Sequence, residues 1–203
     1  MIHELPDDAP RLSLRWVSGG VARDLVGHLL AANDQWYVVL PEDEGPVWVP
    51  RGETEGVRRV PPRTVLATSR PADIERVLER SRPSGRHARL GGWLLRDGHA
   101  LVVGDPGLPL DQALVAVTGW CGRPALLRTL PGAVAEALQE AGCRVAQAAA
   151  VFTAASPTAP MRSGVPLTRG WAVELAADDA EGREAAVGAG FVERYVAITL
   201  TLP

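Results

Sequence analysis

PALLRTLPGAVAEALQEAGCRVAQAAAVF (residues 124–152) and AVELAADDAEGREAAVGAGFVERYVAITL (residues 172–200) carry one order of elements twice. Each reads as a strand, a helix, a Gly-bounded turn and a second strand. The copies lie 48 residues apart, measured from Ala141-Gly142 to Ala189-Gly190. The strand Ala125 to Leu130 maps onto Val173 to Ala177, the helix Ala133 to Ala141 onto Glu181 to Ala189, and Cys143 onto Phe191. A supersecondary unit repeated at a fixed period speaks first about fold and ancestry.

Working upstream, Leu90 to Leu95 and Ala100 to Val103 form a hairpin pattern about Asp97-Gly98. Gly104-Asp105-Pro106-Gly107 then turns into a helix near Leu110 to Trp120, whose buried face is marked by Leu110, Ala113, Leu114 and Val117. Together with the repeats this is an α/β order that predicts a mixed sheet with flanking helices over residues 87–203. A helix is expected over residues 71–81, with Pro71 at its first position and Ile74, Val77 and Leu78 on one face. It ends at Ser81-Arg82-Pro83-Ser84-Gly85, inside a connecting segment of residues 67–86.

From Arg11 to Leu66 the pattern changes to short strands: Leu12 to Val17, Leu25 to Ala31, Gln35 to Leu40, Pro46 to Val49 and Val57 to Val60. Breaks at Ser18-Gly19-Gly20, Asn33-Asp34, Glu44-Gly45 and Pro61-Pro62 separate them. Five short strands in residues 11–66 predict a small β-barrel of the Sm or Tudor kind, closed so that no edge is left exposed. Such barrels bind RNA or peptides, but this one carries seven Arg against seven acids and has no net attraction for phosphate. Trp16, Trp36 and Trp48 are read as its core, with an aromatic cage for a methylated cation as the functional alternative.

Composition narrows the function classes. The 203 residues are 46% hydrophobic and 22% charged, with a formal charge of -3, so no global drive toward nucleic acid or anionic membrane exists. All 21 basic side chains are Arg, which excludes Schiff-base chemistry and a Walker-type lysine. The two cysteines, Cys121 and Cys143, suit a reducing cytoplasm, and no apolar run has the length of a spanning helix, so a cytoplasmic location is expected. His3, His28, His87 and His99 show no metal-ligand spacing, and neither Gly-x-Ser-x-Gly nor Gly-x-Gly-x-x-Gly occurs. No metal is expected.

The most basic window is Arg80, Arg82, Arg86, His87 and Arg89, with no acid between Glu79 and Asp97. It is the candidate site for an anion or an acidic partner, against the alternative of a solvated interdomain loop. Trp93 and Trp171 are candidates to line a cleft in the α/β sheet.

Val173-Glu174-Leu175 before Asp178-Asp179, followed by Gly190-Phe191-Val192-Glu193-Arg194-Tyr195, resembles the C-terminal strand-helix-strand of GNAT-type N-acetyltransferases. Upstream, Asp24-Leu25-Val26-Gly27, Arg59-Val60-Pro61-Pro62, Leu90 to Arg96 and Gly104 to Gly107 resemble an actinobacterial branch of that family that joins a small N-terminal barrel to tandem GNAT halves. The resemblance implies a GNAT-like domain, an acetyl-CoA site in the second half, and an N-acetyltransferase ancestry. The departures are as specific as the matches. The family's phosphate loop, Gln/Arg-x-x-Gly-x-Gly/Ala, is missing; only a Pro-, Ser- and Thr-rich connector from Ala154 to Gly170 stands between the repeats. Arg162-Ser163-Gly164-Val165-Pro166 lacks the second Gly. The family's Tyr acid on the last helix is Ala186 here, its helix-opening Asn is Asp179, and its small helix Ala is Gly182. Without those groups no catalytic residue is assigned and no cofactor is expected. The reading is a shortened, degenerate GNAT-like protein with a non-catalytic binding or accessory, regulatory role, whose partner is a protein or a small ligand. One alternative is an active acetyl-CoA-dependent acyltransferase whose cleft is rebuilt around Gly104 to Gly107; a weaker one is an RNA- or peptide-binding barrel.

Overall fold

The computed structural model describes residues 2–4, 9–42, 44–82, 86–122 and 125–202. Pro83 to Gly85, where the sequence ends its first helix, and Pro124, where it begins its first repeat, lie outside the described residues.

The described residues form two sheets and four α-helices. The smaller sheet contains β2 (Arg11–Ser18), β3 (Val21–Ala32), β4 (Trp36–Leu40), β5 (Val47–Pro50) and β6 (Thr54–Arg59) in the order β5-β4-β3-β2-β6. All neighbours are antiparallel. Gly27 lets β3 cross close over β4, since a Cβ there would lie 2.5 Å from the Leu40 carbonyl oxygen. The expected strands are all present, but closure is not shown: no ladder joins β5 to β6 among the described residues. A 3-10 turn at Arg51–Glu53 carries the chain directly from one edge to the other, so the two edges meet at a corner.

The three tryptophans do not share a core. Leu12, Leu14, Val39 and Val49 form it, with Trp16, Leu25, Leu29, Tyr37 and Val47 packed against them. Side chains alternate along a strand, so Tyr37 and Val39 face this cluster while Trp36 lies on the opposite face. There it meets the exposed Trp48 edge to face at 6.2 Å. Trp16 is therefore separated from the other two by the sheet itself.

The larger sheet has nine strands: β1 (His3–Glu4), β7 (His87–Leu90), β8 (Trp93–Arg96), β9 (His99–Leu101), β10 (Leu126–Thr129), β11 (Arg144–Ala154), β12 (Val165–Pro166), β13 (Trp171–Ala176) and β14 (Val192–Thr201). Their order is β1-β7-β8-β9-β10-β14-β11-β13-β12, and only β9 and β10 run parallel. Helix α2 (Leu110–Cys121) makes that crossover; α3 (Ala133–Glu140) and α4 (Ala180–Gly188) connect the strands of the two repeats.

The repeats interlock instead of lying side by side. Strand β14 of the second unit enters between β10 and β11 of the first, and β11 enters between β13 and β14. Ala149 pairs with Ala197, its own counterpart 48 residues on, so a pseudo-two-fold axis passes through that pair. Even the irregularities obey it: one bulge lies between Val145 and Gln147, and its image lies at the step from Tyr195 to Glu193. The opening strands depart from the expected alignment. Leu126–Thr129 pairs with β14 as Ala172–Leu175 pairs with β11, an offset of 46, because the second unit has two more residues between strand and helix. Arg128 is thereby the counterpart of Glu174.

Helices α2, α3 and α4 cover one face of this sheet. Leu127, Leu200, Ala113, Val117, Leu138 and Cys143 share one buried cluster there; Ala150, Phe152, Val173, Ala186 and Phe191 form the next. Among the described residues, the one helix on the opposite face is α1 (Pro71–Ser81), which packs Ile74 and Leu78 on Val151, Ala172, Leu167 and Val65.

Candidate functional site

Helix α1 buries charge as well as hydrocarbon. Ile74 and Leu78 form its apolar line, as the sequence predicts, but Asp73, Glu75, Arg76 and Glu79 are buried with them. Residues four apart share a helical face, so Glu75 and Glu79 descend together onto the sheet, Glu75 over β10 and Glu79 over β8 and β9, while Arg82, just past the helix end, reaches β13. Asp73 and Arg76 descend on the other flank, toward the small sheet.

The first flank meets a chain of alternating charge. Arg128 on β10, 2% exposed, is held in a two-point pair by Glu75, 1% exposed. Its remaining Nη1 donates to Glu174 Oε1 at 2.7 Å, and Arg82 Nη2 donates to Glu174 Oε2 at 2.9 Å. Tyr195 donates its hydroxyl to Glu75 Oε1 at 3.0 Å. Glu79 continues the series with His99 Nδ1 at 3.0 Å, Arg96 at 3.6 Å and Arg82 at 3.9 Å.

The electrostatics follow from this geometry. Burial opposes the charge on Arg128, but Glu75 and Glu174 overcome it and raise its pKa above the usual guanidinium range. Burial raises the Tyr195 pKa, and the Glu75 carboxylate adds to the effect. Burial also opposes ionisation of Glu79; the His99 hydrogen bond and the charges of His99, Arg82 and Arg96 outweigh it and hold the carboxyl below its ordinary value. Tyr195 thus stays a neutral donor and Glu79 a carboxylate.

The network is most exposed at Arg82 and Glu174, with side chains 37% and 26% exposed. A cleft of about 290 Å³ lies where α1 ends over the sheet, lined by Leu78, Ser81, Arg82, Gln147, Ser163, Val165, Glu174, Leu175 and Ala176. Gln147 lies on the same sheet face as Ala149 and Ala197, so the pseudo-two-fold axis runs beside its floor. Small side chains at the axis and one helix in place of three leave the face open here.

The basic window of the sequence is dispersed. Arg80 is exposed, Arg82 enters the cleft, and Arg86 pairs with Glu4 at 3.3 Å while lying 4.9 Å over the Trp120 ring. His87 is half-buried and pairs with Arg96 across the β7–β8 ladder. Arg89 is 1% exposed and donates to the carbonyls of Pro41 at 3.1 Å and Glu42 at 3.3 Å, tying the two sheets together. Arg80 lies on α1, Arg82 just past its end, Arg86 ahead of β7, and His87 and Arg89 on β7 itself, so the five belong to different elements and make no common surface.

The two cleft tryptophans are likewise apart. Trp93 on β8 is buried at 1% exposure and donates to the Gly104 carbonyl at 3.0 Å. Trp171 on β13 is 39% exposed, five strand positions away in the sheet, or about 24 Å.

The turn before α2 is filled by the protein itself. Gly107 N–H donates to Asp105 Oδ1 at 2.8 Å, Gly92 N–H donates to the Asp105 carbonyl at 2.7 Å, and Gly91, at φ 55°, sits against the Asp105 and Pro106 backbone so closely that no Cβ would fit. Ala186, where the resemblance places a Tyr, is fully buried, and Phe191 N–H bonds to its carbonyl. Leu138 and Cys143 repeat that arrangement in the first unit, which makes position 186 a core position. Asp179 caps α4 by accepting from Gly182 N–H at 2.9 Å, a role any short acceptor side chain fills. Gly164 N–H closes a turn on Met161.

Glu75, Arg128, Glu174 and Tyr195 escaped the sequence reading as site residues. The available signal was charge inside strongly apolar strands, Arg128 in Leu126-Leu127-Arg128 and Glu174 in Val173-Glu174-Leu175, beside Glu75 next to Ile74. Among the described residues no group of three His, Cys, Asp or Glu could hold a metal ion, and no helix is long and apolar enough to cross a membrane. No family model matches the chain, and no significant match was found among curated proteins or solved structures. The GNAT resemblance accordingly rests on the residues quoted for it.

Proposed function

We propose that this chain is a non-catalytic binding protein of GNAT-like ancestry, and that its ligand site is the cleft where Arg82 and Glu174 meet solvent. The observation that carries this reading is the occupied turn at Gly104 to Gly107. Pyrophosphate binding needs backbone N–H groups directed outward from a helix N-terminus. Here Gly107 N–H is taken by Asp105, Pro106 and Pro109 have none, and Gly91 and Gly92 pack on the turn from behind. The buried Ala186 supports the same reading, since no acid stands there to protonate a leaving thiolate.

Titration calorimetry of the full chain with acetyl-CoA is the test. No saturable heat is expected at ligand concentrations well above micromolar, and a low-micromolar dissociation constant would overturn the reading. The parallel β9–β10 crossover favours a second reading, acyl transfer, because its turn lies at the carboxyl end of a parallel strand where ligands of α/β sheets bind. That reading requires CoA release from acetyl-CoA in the presence of an amine. A thiol-release assay across a broad amine panel separates the two.

A further inference from the structure

We infer that the Arg82–Glu174 cleft takes a small zwitterion of the α-amino acid type, an assignment that rests on the binding reading above and narrows it to a ligand class. The ionisable groups facing the cleft and its backing are Glu75, Glu79 and Arg82 from α1 and its end, Arg96 from β8, His99 from β9, Arg128 from β10 and Glu174 from β13. Apart from His99, which is held on Glu79 at 3.0 Å, three carboxylates oppose three guanidiniums. Glu75, Glu79 and Arg128 are at most 2% exposed, so water cannot compensate a net charge added beside them. An anion or a cation entering alone would leave one of these groups unbalanced in a low-dielectric setting, which is costly.

A zwitterion avoids that cost. Among the described residues, Arg82 and Glu174 are the members of the network that line the cleft, with side chains 37% and 26% exposed. Arg82 Nη2 and Glu174 Oε2 hydrogen-bond each other at 2.9 Å, so the two opposite charges lie close enough for one small molecule to address both, its carboxylate at the guanidinium and its ammonium at the carboxylate. Glu174 is presented rigidly, because Arg128 holds its other oxygen at 2.7 Å and is itself clamped by Glu75. Preorganisation of this kind lowers the ordering cost of binding. Ser81, Ser163 and Gln147 add neutral hydrogen-bonding groups, and Leu78, Val165 and Leu175 supply an apolar wall for a side chain. At about 290 Å³ the cleft has room for a molecule of amino-acid size.

The test is calorimetry of the full chain with each of the common α-amino acids, beside the matching primary amine and the matching carboxylate. At least one amino acid binds saturably, and both single-charge analogues bind at least about tenfold more weakly, the loss expected for a charge-assisted hydrogen bond. Arg82→Gln weakens binding by a similar factor. Ser163→Trp, at an exposed rim position, fills the cleft and abolishes binding with an unchanged melting midpoint. The assignment is overturned if no amino acid binds, if a single-charge analogue binds equally, or if Ser163→Trp binds like the parent. Amino acids silent beside silent acetyl-CoA remove only the ligand class; acetyl-CoA binding removes the non-catalytic reading itself.

Discussion

The two faces of the nine-stranded sheet are built on opposite principles. Under α2, α3 and α4 the contacts are hydrocarbon, from Leu127 and Leu200 to Phe152 and Phe191. Under α1 an apolar strip of Ile74 and Leu78 is flanked by buried ions. Hydrophobic contact is non-directional and tolerates small displacements, whereas an Arg clamped at two points by one carboxylate and tied to a second fixes its neighbours in angle as well as distance. The apolar face holds the fold together; the ionic face sets where α1 lies and therefore how wide the cleft is.

The largest test of that contrast is Arg128→Met. It strands Glu75 and removes one tether from Glu174, so denaturant unfolding should lose about 3–5 kcal/mol; a loss under about 1 kcal/mol would mean that the ionic face contributes little to holding α1. Leu138→Ala on the apolar face should cost about 3 kcal/mol through its cavity and leave cleft ligand binding unchanged, which separates the roles of the two faces. Ala186→Tyr, which restores the residue that the resemblance calls for, should cost about 1–3 kcal/mol by overpacking. It should not confer acetyl-CoA binding in calorimetry.

Acid titration probes the ionic face alone. The folded pKa of Glu79 lies below its ordinary 4.5, so its contribution is complete above that pH and is lost as pH falls through the lower folded value. The stability of the parent should fall below pH 4.5 more steeply than that of Glu79→Gln; parallel curves would count against a charged Glu79 in the fold. Tyr195 gives the alkaline counterpart. Its raised folded pKa keeps it neutral while the unfolded phenol ionises, so stability declines as pH rises past 10, and Tyr195→Phe should flatten that decline. The smallest effect is expected at Asp179→Ala, about 1 kcal/mol for a lost helix cap, checked by thermal melting.

Much of the fold was legible because local pattern and fold agree. Helix α1 runs over Pro71–Ser81 as its Pro start and apolar spacing predict, and the strands of residues 11–66 lie near their expected places. Barrel closure was not legible, since it depends on how the Arg51–Glu53 turn brings two edges together. The basic window misled for a related reason: proximity in sequence was read as proximity in space, but β7 sends Arg89 into the interface between the sheets and leaves Arg86 at the surface. The site was hidden because each member is unremarkable alone. Glu75 and Arg128 are 53 residues apart, and Glu75 and Tyr195 are 120 apart.

The sequence by itself determined most of the elements and the repeated unit, because these depend on side-chain periodicity and on backbone chemistry within a few residues. Only the tertiary structure decided that the two units interlock about Ala149 and Ala197, that Arg128 stands opposite Glu174, and that one sheet face is left half open. Strand order and the pairing of buried charges are long-range choices, made by which faces must be covered and which ions must be balanced. Neither leaves a mark on a local stretch of chain.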